Sequence, residues 1–225
     1  MMETAYTPPL GFAALTPLYD CAVRVMTREA AWRARLVERI DAKRDETVLD
    51  VGAGTGSLAI ALTTAAPGCR IRGIDPDPAA VELAKDKAAR ACSSATFEQG
   101  SFNGPAPHRD DAVDKITCSL VLHQVPMAEK RRLLRAMFEQ LRPGGQLFIA
   151  DYGLQPTFIM RLAFRLTVQL LDGRSDTQPN ADGILMPLIE EAGFEGMTLL
   201  DSFDTATGRI DIIRAEKPGV AGLLP

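Results

Sequence analysis

The chain has 225 residues, 46% apolar and 24% charged, the balance of a single globular domain long enough to bury a substantial core. A net charge of −4 and an isoelectric point near 5.3 provide no field that would gather a phosphate backbone, which disfavours nucleic acid as a partner. Four cysteines without a Cys-x-x-Cys pair, beside only two histidines, argue against a metal site or a disulfide framework and for free thiols in a reducing cytoplasm.

The N-terminus has neither the basic start nor the apolar core of a signal peptide, and no run approaches the roughly 18 apolar residues of a membrane span. Residues 1–12 read as an irregular arm dotted with proline and glycine. Helical spacing begins near Pro17, with Leu18, Cys21, Ala22 and Val25 at i, i+3, i+4 and i+7, and a second run over 28–41 carries Ala31, Leu36 and Ile40. The charges between them, Arg33, Arg35, Glu38 and Arg39, are expected on a solvated face. Residues 43–46 read as a turn into a strand at Thr47.

Residues 48–57 are the pivot: an apolar run carrying Asp50 breaks into a loop with glycines at 52, 54 and 56, and a helix-like stretch follows over 58–66. Strand, glycine turn and helix together let a polar ligand approach main-chain N–H groups. Pro67-Gly68 stops the helix, and 69–75 is a short strand ending in Asp75. Asp77 then caps a helix that Pro78 begins, with Ala80, Val81, Ala84 and Ala88 turned inward. A third strand covers 96–99, and 104–107 is a surface loop.

A fourth strand over 115–122 runs into His123-Gln124, and 127–141 is an amphipathic helix with Leu133, Leu134, Met137, Phe138 and Leu141 on one face. Residues 142–145 read as a tight turn before a fifth strand, 146–150, capped by Asp151-Tyr152. Strands alternating with helices imply a doubly wound, mostly parallel sheet. The last third begins with a strongly apolar helix over 156–171, in which Arg161 and Arg165 are one turn apart, ended by Asp172-Gly173. A polar loop over 176–183, a helix over 184–192 and a hairpin of 197–202 with 209–214 complete the chain, so the seven-stranded sheet is antiparallel at one edge.

The glycine spacing chooses among ligands. A dinucleotide loop reads Gly-x-Gly-x-x-Gly, whereas this one reads Gly-x-Gly-x-Gly with Asp50 two residues before Gly52. Asp75, at the end of the next strand, is placed to take a ribose's two hydroxyls. With Val-Leu-Asp-Val-Gly-Ala-Gly-Thr-Gly, Gly-Ile-Asp-Pro-Asp, Ser-Leu-Val-Leu-His-Gln-Val and Leu-Arg-Pro-Gly-Gly-Gln-Leu-Phe-Ile-Ala-Asp, the chain resembles the class I S-adenosylmethionine-dependent methyltransferases over residues 47–152. Within that family it looks nearest to small-molecule methyltransferases of quinone biosynthesis.

The resemblance implies a Rossmann-like methyltransferase fold in one domain, 1–225. It would comprise an N-terminal helical arm or lid (1–46), a cofactor-binding core (47–152), and substrate-side helices with the terminal hairpin (153–217). It implies S-adenosylmethionine as cofactor and S-adenosylhomocysteine as product. Gly52, Ala53, Gly54, Thr55 and Gly56 would wrap the methionine and ribose, with Asp50 orienting them, Asp75 on the ribose and Pro76 near the adenine. Many members have Gly-Asp-Ala after the third strand; this chain has Gly100-Ser101-Phe102, so Ser101 would hydrogen-bond and Phe102 flank the ring, and the adenine contact departs from the family pattern. Ser119 matches a position close to the cofactor, and Tyr19 resembles a tyrosine that closes over the methionine end.

Methyl transfer is an in-line displacement needing alignment, dryness and, for some nucleophiles, a base near neutrality. His123, beyond the carboxyl end of the fourth strand, is the candidate base, against a bland reading as a structural or cofactor-edge residue. Tyr152 and Asp151 are expected along the acceptor pocket, Asp151 alternatively as a loop cap; His108 is expected at the surface and Cys118 in the core. The apolar helix over 156–171 offers a hydrophobic wall for a small, hydrophobic or aromatic acceptor, or else a homodimer interface or core helix. Three other readings stand beside this one: a nicotinamide-dependent oxidoreductase, a catalytically silent cofactor-binding module acting through a protein partner, and a nucleic-acid methyltransferase. The glycine spacing disfavours the first; acidity and the lack of an Asn-Pro-Pro-Tyr-type motif disfavour the last.

Overall fold

The computed structural model describes residues 26–102 and 112–219. The first described helix, α1 (Glu29–Ile40), buries Trp32, Leu36 and Ile40 at i, i+4 and i+8 and leads into β1 (Thr47–Val51). Then follow α2 (Ser57–Ala65), β2 (Arg70–Asp75), α3 (Pro78–Arg90), β3 (Thr96–Gln99) and β4 (Val113–Ser119). A 3-10 turn (Leu122–Gln124), α4 (Met127–Gln140) and β5 (Leu141–Tyr152) come next. The last third holds α5 (Phe158–Leu166), α6 (Val168–Asp172), α7 (Arg174–Ala181), α8 (Leu185–Glu191), β6 (Glu195–Thr205) and β7 (Gly208–Glu216).

The strands form one sheet in the order β3-β2-β1-β4-β5-β7-β6, parallel through β5 and antiparallel in its pairings with and beyond β7. The expected doubly wound sheet with a terminal hairpin is therefore present. β1 is buried from Val48 to Val51 because helices cover both faces: Val48 joins Trp32, Leu36, Leu58 and Leu62 on one side, and Leu49 and Val51 join Leu134, Met137 and Ile189 on the other. The winding reverses between β1 and β4, so a crevice opens beyond their carboxyl ends.

Local expectations held where the signal was local. Asp77 accepts the Ala79 N–H at 2.9 Å and Pro78 opens α3. Cys118 is wholly buried. Four expectations are corrected. Residues 142–145 are not a turn ahead of the strand: they bulge out of β5 opposite Asp114, and Gly144 N–H and Gly145 C=O bond to the Lys217 backbone, each at 2.9 Å. The single apolar helix is two helices broken at Thr167, whose hydroxyl bonds the Ala163 carbonyl at 2.7 Å.

The expected polar loop at 176–183 is mostly helix α7. Tertiary contacts outweigh its weak propensity: Asn180 donates to the Tyr152 carbonyl at 3.0 Å, and Thr177 and Asn180 are both fully buried. The arginines of α1 are not simply solvated either. Arg35 and Arg39 meet Asp201 of β6 at 3.0 and 2.7 Å and tie the helix to the sheet edge. Tyr19, the helical run over 17–25, the 104–107 loop and His108 lie outside the described residues.

Candidate active site

The glycine loop is shaped by what its glycines touch. Gly52 and Gly56 adopt positive φ, and a Cβ on them would sit 2.2 Å from Val121 Cγ2 and 2.5 Å from Phe97 Cζ, respectively. Both are packing requirements. Gly54 also has positive φ, but a Cβ there would meet nothing within 4 Å, so this turn faces open space. Its N–H donates to Asp75 Oδ2 at 2.7 Å, while Asp75 Oδ1 accepts the Asp77 N–H at 2.9 Å. Gly52 and Ala53 donate to the Ile74 carbonyl at 2.9 and 3.1 Å, so the loop is laced to the end of β2. Thr55 and Ser57 hydroxyls receive Lys87 Nζ from α3 at 3.0 and 2.7 Å.

Asp50 lies under this loop, 1% exposed, with Oδ1 accepting the Thr117 hydroxyl at 2.7 Å. Its Oδ2 has no hydrogen-bond partner among the described residues. Burial pushes its pKa up to about 7, opposed by the Thr117 bond and by nearby Arg33. A buried carboxylate lacking one donor, beside an open glycine turn, suits a ligand bearing a cationic amino acid. Asp75 is raised as well, chiefly by burial, and its two oxygens keep lone pairs for a ribose.

Arg33 was missed as a contributor here because its spacing places it among ordinary surface charges. It pairs with Glu29 and lines a cavity of about 640 Å³ with Arg28, Ala30, Ala31, Ser57 and Lys87. The lining of that cavity includes neither Gly54 nor Asp75, so the ligand assignment rests on the loop and its acids.

On the other side of the crevice, β4 ends at Ser119, which is half-buried. Leu120 follows with φ of 55°, a left-handed bend for a non-glycine residue, and the chain drops into the 3-10 turn that carries His123. Asp151 at the end of β5 organises this turn. Its Oδ2 accepts Leu122 N–H at 2.7 Å and its Oδ1 stands 2.7 Å from His123 Nδ1. It is therefore both the turn cap and the partner of His123.

His123 Nε2 lies 3.5 Å from Asp172 at the end of α6. Burial alone would discharge the imidazole, but Asp151 first and Asp172 second outweigh it and raise the pKa to about 9. Near neutrality His123 is an imidazolium held between two carboxylates. Tyr152 packs edge-on to the His123 ring at 4.9 Å and to Phe164 of α5 at 5.1 Å, and its hydroxyl bonds Thr207 at 2.7 Å.

Two supports escaped the sequence reading. Asp172 is brought to His123 only by the fold of α5 and α6. Lys130 had a legible signal, since it shares the apolar stripe of α4 with Leu133, Leu134 and Met137. It is wholly buried and holds the carbonyls of Leu122, Val125 (2.8 Å) and Asp176 (2.9 Å), clamping the His123 turn to α7; burial lowers its pKa to about 8. Of the remaining candidates, Pro76 and Ser101 are exposed. Phe102 is packed into the core, with its carbonyl on Arg132 at 2.9 Å.

Comparison with known proteins finds methyltransferases. Residues 48–145 match the profile described as a methyltransferase domain. The chain is 32% identical over 160 residues to a demethylmenaquinone methyltransferase of Deinococcus radiodurans, covering 70% of this chain and 65% of that one. Over these residues the chain is similar to methyltransferases, in line with the resemblance its motifs carry.

A Thermus thermophilus demethylmenaquinone methyltransferase is 29% identical over 161 residues, with 70% of this chain and 71% of that protein covered. The fold matches a solved S-adenosylmethionine-dependent methyltransferase of Thermotoga maritima with a TM-score of 0.67 at 17% identity, over 90% of this chain and 95% of the other. The open turn at Gly54 with unpaired Asp50 Oδ2 would fit the S-adenosylmethionine for which that protein is named. The chain spans 65% of the length of the Deinococcus relative.

Proposed function

We propose that this chain is an S-adenosylmethionine-dependent methyltransferase acting on a small aromatic acceptor of the hydroxylated quinone, or quinol, class. The observation that carries the reading is the group at the mouth of β4 and β5. A charged His123 is fixed by Asp151 beside the aromatic face of Tyr152, at the crevice where the glycine loop also opens. The two relatives named as demethylmenaquinone methyltransferases support the acceptor class. When bound, the cofactor supplies an electrophilic methyl on a cationic sulfonium. Gly54, Asp75 and Asp50 would hold its ribose and amino acid ends. Pro76, Ser101 and Ser119 are proposed at its margins, Tyr19 as a closing residue, and Phe102 as backing behind the adenine.

His123 is proposed to handle the acceptor's hydroxyl. As an imidazolium it favours the ionised oxygen of a quinol, which raises the electron density of the ring carbon or oxygen that takes the methyl. It becomes a base only after losing a proton, which its two carboxylate neighbours oppose. Tyr152 and Phe164 exclude water from this side. The three free cysteines among the described residues, Cys69, Cys92 and Cys118, accord with the cytoplasm as the proposed location.

The test is release of S-adenosylhomocysteine with matched quinol, phenol, amine and thiol acceptors. Turnover confined to quinols and phenols is expected. Preference for amines or thiols overturns the acceptor class, and no turnover with any acceptor favours the silent, partner-bound module.

A further inference from the structure

The helix pair that roofs His123 has an outer face of opposite character. Inward, α5 sends Phe164, 1% exposed, against Tyr152. Outward, it presents Phe158 and Ile159, 79% and 77% exposed, together with Leu162 and Leu166. These four fall on about a third of the helix circumference at 3.6 residues per turn. Leu170 and Leu171 of α6 and Leu154 before α5 are exposed as well. An amphipathic helix ordinarily turns such a stripe to the core; here the core is served by Phe164 and the stripe faces out.

The charge around the patch is unlike that of the chain. Residues 158–174 carry three arginines (Arg161, Arg165 and Arg174) against one acid, Asp172, which is turned to His123, although the chain as a whole is at −4. Arg165 and Arg174 are exposed; Arg161, on the same flank as Arg165, bonds the Gln155 carbonyl at 2.9 Å and pairs with Asp182 at 3.7 Å, so Arg165 and Arg174 carry the charge of this face.

We propose that this face docks on an anionic lipid surface, with Phe158, Ile159, Leu166 and Leu170 entering the headgroup boundary and the arginines meeting lipid phosphates. The charge selects this occupant, because a second copy paired about a twofold axis through the stripe would bring exposed Arg165 toward its own counterpart. A helix with an apolar stripe and a basic flank is what an interfacial anchor needs. Docking would set the roof of the acceptor site at the bilayer, so that a lipid-soluble acceptor reaches His123 without crossing water. The docking does not depend on the acceptor class.

The test is flotation of the full chain with vesicles of phosphatidylcholine alone or mixed equally with phosphatidylglycerol. Binding to the mixed vesicles is expected, with weak binding to phosphatidylcholine alone. The double variant Phe158→Ser, Ile159→Ser should lose binding by about tenfold or more without a change in melting temperature, because both side chains are already exposed. Arg165→Gln should weaken binding about fivefold and reduce its salt dependence. Failure of the full chain to bind either vesicle, or equal binding by the double variant, overturns the proposal. So does light scattering that shows a dimer which the double variant splits, since that would assign the face to a second copy.

Discussion

Asp151 and His123 are joined twice: the carboxylate meets the ring at Nδ1, 2.7 Å away, and also accepts the backbone N–H groups of Leu122 at 2.7 Å and His123 at 3.3 Å. One buried acid therefore holds the turn that carries the imidazole and, with Asp172, sets the charge of the ring.

The charge has a pH signature with a definite sign. The folded pKa of His123 is raised from 6.5 to about 9, so its stabilising interaction is fully present below about 6.5 and is lost as pH climbs through about 9. Denaturant unfolding between neutral pH and about pH 10 should show a loss of stability that His123→Gln lacks. Turnover should fall over the same range if the imidazolium is the active form, whereas a rise through pH 9 would restore the base reading.

His123→Ala should lower turnover about tenfold or more while leaving cofactor affinity nearly unchanged, since the acids proposed to hold the cofactor, Asp50 and Asp75, lie on β1 and β2. Asp75→Ala should do the reverse, weakening the cofactor first. Calorimetric titration with S-adenosylhomocysteine beside initial rates separates the two; equal cofactor affinity in Asp75→Ala counts against the ribose role.

Asp50 predicts a different pH dependence. Its folded pKa is raised from 3.8 to about 7, chiefly by burial, so the ligand-free protein loses stability from this group as pH rises from about 4 to 7. A cationic ligand favours the carboxylate, so affinity for S-adenosylmethionine should strengthen as pH rises through about 7. Asp50→Asn should flatten both trends, and a parallel pH dependence in the variant would remove Asp50 from the account.

The three loop glycines should separate into two classes. Gly54→Ala meets no neighbour, so it should cost only about 1–2 kcal/mol for a left-handed residue while weakening the cofactor proposed to occupy that open space. Gly56→Ala meets Phe97 at 2.5 Å and should cost about 1–3 kcal/mol more. Thermal melts and cofactor titrations of both variants check the distinction.

Lys130→Met preserves the apolar stem but strips donors from the carbonyls of Leu122, Val125 and Asp176. A stability loss of about 2–4 kcal/mol is expected, because buried unpaired carbonyls are costly. Activity should fall with it, since the clamp joins the His123 turn to α7. Chemical denaturation measures the first and initial rates the second.

Much of this molecule was legible in its residue order because the deciding forces act over a few residues. Period-two and 3.6-residue patterns, the Asp77-Pro78 start of α3 and the Gly-x-Gly-x-Gly turn depend on local backbone preference and burial, and each sits where that preference puts it. The placement of Gly52, Gly54, Asp50 and Asp75 at one crevice followed from the strand order that such alternation implies.

Tertiary structure alone decided the rest. It made a helix of residues 174–181 by burying Asn180 and Thr177, brought Asp172 to His123 across two helices, and turned the stripe of α5 outward. Sequence can place a histidine at a strand's end, but its charge depends on acids 28 and 49 positions away in the chain that only folding brings within reach.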